Sequence, residues 1–199
     1  MSVYGVRLPY LFKKSLHFSF DKEITINYEV INLSQFDMDF IWAANPMLAA
    51  EEGMELSLPD DCKKAISTLN FSNRIGGFGE ELDWPFNTDN FKVKHQLNKI
   101  RDKSKKSCEK YYFKNRLEEG WIKINYLSDN ASINFEFPPD KVPYLGILID
   151  EGYRRGKFYI IPEPCTAAFD SINNSKLYEK SSAICGNCSY RWFLKISFT

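Results

Sequence analysis

The stretch Glu23–Val30 reads Glu-Ile-Thr-Ile-Asn-Tyr-Glu-Val, and its alternation decides the fold class. Apolar and polar side chains follow one another with a period of two, which places the apolar ones on a single face of a β-strand. The same alternation recurs in residues 121–126, 133–137 and 191–198. We therefore expect antiparallel strands, each with one face on a core and the other in water.

Three mostly apolar runs complete the β pattern: Phe40–Ala44, Tyr144–Ile149 and Phe158–Ile161. Short apolar runs bounded by breakers are typical of strands that are covered on both faces. The expected breakers are Pro46, Pro143 and Pro162. These runs are predicted to line the interior of a sandwich.

Helical periodicity is nearly absent, and the one short candidate helix is Asp61–Asn70. The fold class predicted from these patterns is all-β, an antiparallel β-sandwich with long connections. A length of 199 residues suits one domain, so residues 1–199 are expected to form a single unit.

Residues 91–114 carry many basic side chains and few apolar ones. One interpretation is a basic patch that binds phosphate. The preferred interpretation is a mobile loop in solvent, because acidic runs elsewhere in the chain balance the charge.

Composition narrows the kinds of partner. Lys plus Arg and Asp plus Glu both number 26, so the formal net charge is zero. No whole-chain field then attracts nucleic acid or an anionic membrane, which favours a neutral partner. The first residues lack a secretory signal, and no apolar stretch approaches the roughly 20 residues that cross a bilayer. A cytoplasmic location is expected.

Five cysteines, an odd and scattered set, argue against a secreted disulfide framework and favour reduced thiols. Cys185-Gly-Asn-Cys188 could be half of a zinc site or a redox pair, but it lacks a second CxxC. A Gly-Asn turn between two incidental thiols is the preferred interpretation. The glycine-rich segment Asn73–Gly79 is predicted to be a flexible loop. No motif predicts a bound metal.

Two segments place a polar residue at the end of an apolar strand, immediately before proline. They are 40–48, which contains Asn45, and 160–166, which contains Glu163. Taken alone, Asn45 is a turn residue and Glu163 is a strand-end carboxylate. A carboxylate among apolar neighbours favours a raised pKa and proton transfer.

At these segments the chain resembles the aldose 1-epimerase (galactose mutarotase) superfamily. Mutarotase-like members carry Trp-x-Ala-His-Pro followed by Glu-x-Gly-Met, which reads here as Trp42-Ala-Ala-Asn-Pro46 and then Glu52-Gly-Met54. The segment Glu163-Pro-Cys-Thr166, followed by Asp170-Ser171, resembles the family's Glu-Pro-Cys-Thr-Gly and Asp-Ser. The ordered matches cover nearly the whole chain but correspond to the later two-thirds of a typical member.

The resemblance implies a large antiparallel sandwich, N-terminally incomplete, with a sugar bound in a cleft on a concave sheet. It implies the interconversion of the α and β anomers of an aldose, with no metal or organic cofactor. Glu163 would be the base. Asn45 occupies the position of the acid histidine, and an amide cannot deliver a proton at neutral pH.

Further site residues follow from the matched segments. Trp42 would offer an apolar face to the sugar ring, while Lys110 and Glu151 would hold hydroxyls, with surface ion pairing as the alternative role of each. The alternative function is a non-catalytic carbohydrate-binding or regulatory relative that has lost the acid. Exposed strand edges also suggest a homo-oligomer or a complementing chain.

Overall fold

The computed structural model describes residues 1–19, 22–72 and 74–199. The strands in these residues are β1 (Ser2–Tyr4), β2 (Tyr10–Phe18), β3 (Glu23–Asn32), β4 (Met38–Phe40), β5 (Leu48–Ala49), β6 (Glu55–Ser57), β7 (Lys64–Asn70), β8 (Glu81–Asp83), β9 (Phe86–Thr88), β10 (Lys94–Gln96), β11 (Ser107–Phe113), β12 (Trp121–Tyr126), β13 (Ala131–Glu136), β14 (Tyr144–Glu151), β15 (Phe158–Cys165), β16 (Ser182–Ile184) and β17 (Ser189–Phe198). Helical structure is confined, in the same residues, to a 3-10 turn at Lys103–Lys105 and α1 (Ile172–Leu177).

Two antiparallel sheets form the body of the protein. The larger has seven strands in the order β1-β2-β3-β17-β13-β12-β6, and the other has six in the order β5-β15-β14-β11-β7-β8. Two ribbons, β9 with β10 and β4 with β16, lie beside them. The chain is thus an all-β antiparallel sandwich, as the alternating sequence predicts.

The main core lies between the two sheets and explains the alternation. Tyr28 of β3 and Trp192 of β17 are direct partners, and their rings stack with centroids 5.4 Å apart. Tyr111 of β11 and Ile147 of β14 enter the same core from the six-stranded sheet. Alternate residues of the six-stranded sheet consequently point away from this core.

The four alternating segments are confirmed as β3, β12, β13 and β17, all in the seven-stranded sheet. The predicted stop at Pro162 is wrong, because β15 continues through Pro162 and Pro164 to Cys165. β14 pairs with the whole of β15 on one side, while β5 pairs only with Tyr159 and Ile160 on the other. Both prolines lie beyond the end of β5, on a side of β15 that has no continuous strand partner. Their missing N–H groups therefore interrupt no regular ladder of hydrogen bonds.

The candidate helix at Asp61–Asn70 is also wrong. Residues 64–70 form β7, which pairs with β11 on one side and β8 on the other. Ala65 packs in the main core and Ile66 packs on the opposite face of the sheet. Pairing on both edges outweighs the weak local preference of this segment.

The structure differs from the expected loop at residues 91–114, because β11 occupies 107–113 and every residue of it is buried. The loop was predicted from the many basic residues of this segment, of which β11 contains Lys110, next to Glu109. Both are paired inside the protein, Glu109 with Arg74 and Lys110 with Glu163. Charges that find partners in the folded chain can lie on a central strand.

The expectation of reduced thiols is wrong at the CxxC motif, where Cys185 and Cys188 are joined by a disulfide. The Cys188 N–H donates to the Cys185 carbonyl oxygen, and this turn brings the two Cα atoms to 5.3 Å, within the range of a disulfide. The predicted Gly-Asn turn is therefore present, with its flanking thiols oxidised. Cys62, Cys108 and Cys165 are free and buried.

Reducing this disulfide is expected to lower the free energy of unfolding by about 1–2 kcal/mol, because the loop it closes is short. Urea unfolding with and without a phosphine reductant measures the difference. A Cys185→Ser/Cys188→Ser double variant is the control and should not respond to the reductant. Identical urea midpoints for the unaltered protein under both conditions would contradict the prediction.

Candidate functional site

Glu163 lies on the face of the six-stranded sheet that points away from the main core. Tyr112, Tyr144 and Cys165 belong to a separate apolar cluster on this face. We call this face of the sheet the outer face and define it by Lys110, Tyr112, Tyr144, Glu163 and Cys165. On this face the sequence-predicted carboxylate Glu163 meets ionisable neighbours.

A glycine lets Tyr112 reach Glu163 across an intervening strand. Tyr112 pairs with Gly146, and Gly146 pairs with Glu163, so the three residues form a row over β11, β14 and β15. A Cβ atom at Gly146 would come within 2.7 Å of the Tyr112 ring. Without it, the Tyr112 hydroxyl donates to Glu163 Oε2 at 3.2 Å.

Lys110 precedes Tyr112 by two residues and shares its face. Its Nζ lies 2.7 Å from Glu163 Oε2 and 2.5 Å from Asp170 Oδ1. The Tyr112 hydroxyl is also 2.9 Å from Asp170 Oδ1. We call Glu163, Lys110, Tyr112 and Asp170 the Glu163 cluster.

Exposure increases through the Glu163 cluster towards Asp170. The exposed fraction of the side chain is 3% for Glu163, 9% for Lys110 and 64% for Asp170. The loop after β15 places Asp170 there, since its Phe169 ring packs on Tyr112 with centroids 5.6 Å apart. Asp170 therefore marks the solvent side of the cluster.

The electrostatics of the cluster favour proton transfer to Glu163. Burial raises the pKa of the Glu163 carboxyl above its ordinary value of 4.5, while the Lys110 ammonium works in the opposite direction. Burial also raises the pKa of the Tyr112 phenol far above its usual range. A carboxylate with a raised pKa is a better general base near neutral pH than an ordinary one.

Asn45 lies on the side of β15 that is away from β14. The pairs Ala43 with Cys165 and Leu48 with Ile160 share one antiparallel register, and Asn45 lies in the irregular segment between them, alongside β15. The Asn45 side chain is exposed, and its Nδ2 has a long 3.5 Å contact with the Ala43 carbonyl oxygen. It can donate a hydrogen bond to a ligand but has no accessible acid form.

Trp42 and Glu151 lie away from the Glu163 cluster. The Trp42 ring packs against Tyr28 and Trp192, with centroids 4.8 Å and 5.2 Å apart, on the main core side of the sheet. Glu151 ends β14 five positions from Gly146 and accepts hydrogen bonds from Arg101 and Ser107. Of the sequence-predicted site residues, Glu163 and Lys110 are in direct contact, while the recorded side-chain contact of Asn45 is with the Ala43 carbonyl oxygen.

Sequence reasoning missed two members of the cluster, Tyr112 and Asp170, as site residues. The spacing of Lys110 and Tyr112 would have put them on one face once residues 107–113 were recognised as a strand. Asp170 was noticed only as part of an Asp-Ser match. Its approach to Lys110 depends on the loop after β15, for which the sequence carries no local signal.

A second set of charges is buried at the far end of the six-stranded sheet. Arg74 forms a two-pronged pair with Glu109 and lies 3.8 Å from Glu151, which also pairs with Arg101 at 2.6 Å. We call Arg74, Glu109, Glu151 and Arg101 the buried ion network. No local pattern predicts a role for Arg74, which lies in the glycine-rich segment predicted as a loop. Asn73 of that segment lies outside the described residues.

The described residues contain neither a membrane-spanning helix nor a metal-binding cluster. No helix among them combines the length and apolar character needed to cross a membrane. Within the same ranges, no group of three or more His, Cys, Asp or Glu side chains is arranged to hold a metal ion.

Comparison with known proteins links this geometry to a fold family. No protein-family model and no curated protein matches the sequence. Among solved structures, a Klebsiella pneumoniae protein provisionally assigned as an aldose 1-epimerase matches with a TM-score of 0.73 and 10% identity, over 99% of this chain and 48% of its own. An Escherichia coli protein with the same provisional assignment matches with a TM-score of 0.66 and 14% identity, over 100% of this chain and 63% of its own.

A galactose mutarotase-related enzyme from Lactobacillus acidophilus gives a TM-score of 0.62 at 12% identity, covering 96% of this chain and 62% of that one. The chain thus spans about half to two-thirds of the length of these structures, in agreement with the expected partial match. Identities this low carry information about the fold only. The chain has the antiparallel sandwich fold of the aldose 1-epimerase, or galactose mutarotase-like, proteins.

Proposed function

We propose that this chain binds a sugar at the Glu163 cluster and interconverts its α and β anomers, as an aldose 1-epimerase-like isomerase. The observation that carries the proposal is the buried Glu163 carboxylate, whose pKa is raised by burial and which lies 2.7 Å from an ammonium group. Perturbed carboxylates with a specific charged partner are enriched at functional sites. The fold shared with mutarotase-like proteins supports the same assignment.

In the proposed reaction, Glu163 removes the proton from the anomeric hydroxyl and the ring opens to the free aldehyde. Rotation about the bond to the aldehyde carbon and reclosure then give the other anomer. A positioned general base contributes about 10²–10⁴ in rate. The proposal includes no cofactor, since ring opening and reclosure transfer protons and exchange C–O bonds without any change of oxidation state.

The charges of the cluster favour a neutral aldose as the substrate. With all groups ionised, Glu163 and Asp170 contribute two negative charges against one positive charge from Lys110. A phosphorylated sugar would meet net repulsion here. The sugar would enter from the Asp170 side, displacing that carboxylate from Lys110 and Tyr112 with its own hydroxyls.

A non-catalytic sugar-binding protein is the second candidate. It is favoured by Asn45, an amide at the position where the resembling enzymes carry a histidine. It is also favoured by the 3% exposure of the Glu163 side chain, because a base that stays enclosed does not reach substrate. In this case the outer face would recognise a sugar without opening its ring.

Anomer exchange of glucose and galactose, followed by NMR magnetisation transfer, tests the proposal. Purified protein is compared with buffer and with the same protein after heat unfolding. Exchange faster than in both controls is the expected result. Exchange equal to buffer, with sugar signals that broaden or shift, would favour the non-catalytic candidate, and unchanged sugar signals would contradict both.

A further inference from the structure

We infer that Lys110 is the proton donor to the ring oxygen, in place of the missing histidine; this inference rests on the proposed function. Its Nζ is 2.7 Å from Glu163 Oε2, so acid and base are adjacent on one face of the sheet. Their side chains come from β11 and β15, two strands separated only by β14. A rigid sheet is a precise support for a pair of groups that act together.

The substrate has a matching geometry. The anomeric hydroxyl oxygen and the ring oxygen of a cyclic aldose are bonded to the same carbon, so they lie closer together than two hydrogen-bonded atoms. An adjacent carboxylate and ammonium can therefore contact both oxygens at once. One sugar orientation then satisfies the Glu163 carboxylate as acceptor and the Lys110 ammonium as donor.

The step balances in protons and electrons. The O–H bond of the anomeric hydroxyl breaks, its proton moves to Glu163, and its electron pair forms the aldehyde C=O bond. The bond from the anomeric carbon to the ring oxygen breaks, and the pair left on that oxygen takes a proton from Lys110. Reclosure on the opposite face of the aldehyde returns both protons and restores the Glu163 carboxylate and the Lys110 ammonium.

The other candidate donors are poorer than Lys110. Asn45 has no accessible acid form. Tyr112 donates a hydrogen bond to Glu163, but burial raises the pKa of its phenol, which weakens it as an acid. Lys110 is an ammonium with three donor hydrogens, so it can keep its contact with Glu163 and donate to a ring oxygen once the sugar has displaced Asp170.

Lys110 also has a purely electrostatic role, which the test must separate from proton donation. The ammonium lowers the pKa of Glu163 against the effect of burial, so its loss would leave Glu163 more easily protonated. Lys110→Arg keeps the positive charge, but a guanidinium is not deprotonated in proteins. Lys110→Met removes both charge and donor, and Lys114→Met alters an exposed lysine just beyond the same strand as a control.

Anomer exchange is measured by NMR for the four proteins, with circular dichroism to confirm folding. The expected result is that Lys110→Arg and Lys110→Met each lose about 10²–10⁴ of the enzyme-catalysed rate, while Lys114→Met keeps it. A Lys110→Arg rate within about threefold of the unaltered protein would overturn the inference and leave an electrostatic role. If the unaltered protein itself gives no acceleration, the proposed function fails first, and the inference falls with it.

A second measurement covers the case in which Lys110→Arg folds poorly. Raising the pH ionises Glu163 again in Lys110→Met, so a role confined to the pKa of Glu163 would be rescued at alkaline pH. Proton donation would not be rescued. Persistent loss in Lys110→Met after subtraction of the buffer rate supports the inference, and recovery to the unaltered rate overturns it.

Discussion

Arg74→Met is expected to lower the free energy of unfolding by about 3–5 kcal/mol, because it leaves the buried Glu109 carboxylate without its cation. Arg74 and Glu109 are both almost completely enclosed, and Arg74 also donates to the Gln96 carbonyl oxygen. A carboxylate cannot recover this interaction from water in such a place. Urea unfolding followed by circular dichroism measures the loss.

Lys13→Met is the matched control, since Lys13 pairs with Glu29 at 3.1 Å on the exposed face of the seven-stranded sheet. Exposed pairs contribute about 0–1 kcal/mol, so this variant should unfold close to the unaltered protein. The double variant Arg74→Met/Glu109→Met should regain part of the stability, because no charge is then buried alone. Equal losses for Arg74→Met and Lys13→Met would contradict the prediction.

The buried ion network also predicts the direction of acid destabilisation. Burial raises the pKa of Glu151, but hydrogen bonds from Arg101 and the charge of Arg74 outweigh it and hold the pKa below 4.5. A carboxyl whose pKa is lower in the folded than in the unfolded protein stabilises the fold at a pH above its unfolded pKa. This stabilisation is lost as the pH falls through the folded pKa. Arg74→Met should therefore show a weaker loss of stability on acidification below pH 4.5 than the unaltered protein.

Glu163→Gln is expected to reduce the protein-catalysed anomer exchange by about 10²–10⁴-fold, because the amide has the same shape but cannot accept the proton. The substitution keeps an oxygen that can accept from Lys110 or Tyr112, so sugar binding should change less than the rate. NMR magnetisation transfer gives the rate, and sugar titration gives the affinity. A loss of affinity with an unchanged rate at saturation would contradict the role of base.

Glu118→Gln is a suitable control, because Glu118 is an exposed carboxylate outside the cluster. The unaltered rate should fall as the pH drops through the pKa of Glu163, which lies above 4.5. Glu163 affects stability in the opposite direction to Glu151, because its pKa is raised in the folded protein. The contribution of Glu163 to the free energy of unfolding therefore falls as the pH rises from 4.5 through its folded-state pKa. Glu163→Gln removes this ionisable group, so the variant should not show this loss of stability as the pH rises.

The main β pattern could be predicted from sequence because it depends on local alternation. Each of the four segments with a strict period of two is a strand with one face on the core. The predictions that failed depended on distant partners. Residues 64–70 became a strand by pairing on both edges, and β11 was mistaken for a loop because its charges are paired with residues far away in the sequence.

The candidate site was predicted in part for the same reason. Glu163 could be nominated from its apolar neighbours and its resemblance to a known motif, both of which are local. Trp42 was grouped with it as part of a matched segment and Glu151 from its proximity to one, and the fold places both side chains elsewhere. The disulfide at Cys185 depended on a turn geometry that a CxxC spacing permits but does not require.

The sequence by itself determined that the chain forms antiparallel sheets and that a carboxylate lies on one of its buried strands. Alternation places side chains on one face of their own strand but does not say which strands become neighbours, or in what register. Only the tertiary structure decided that β14 presents Gly146 between Tyr112 and Glu163, and that Lys110 and Asp170 meet there. Long-range pairing sets these contacts, so the sequence nominated Glu163 and Lys110 separately but did not predict that they touch.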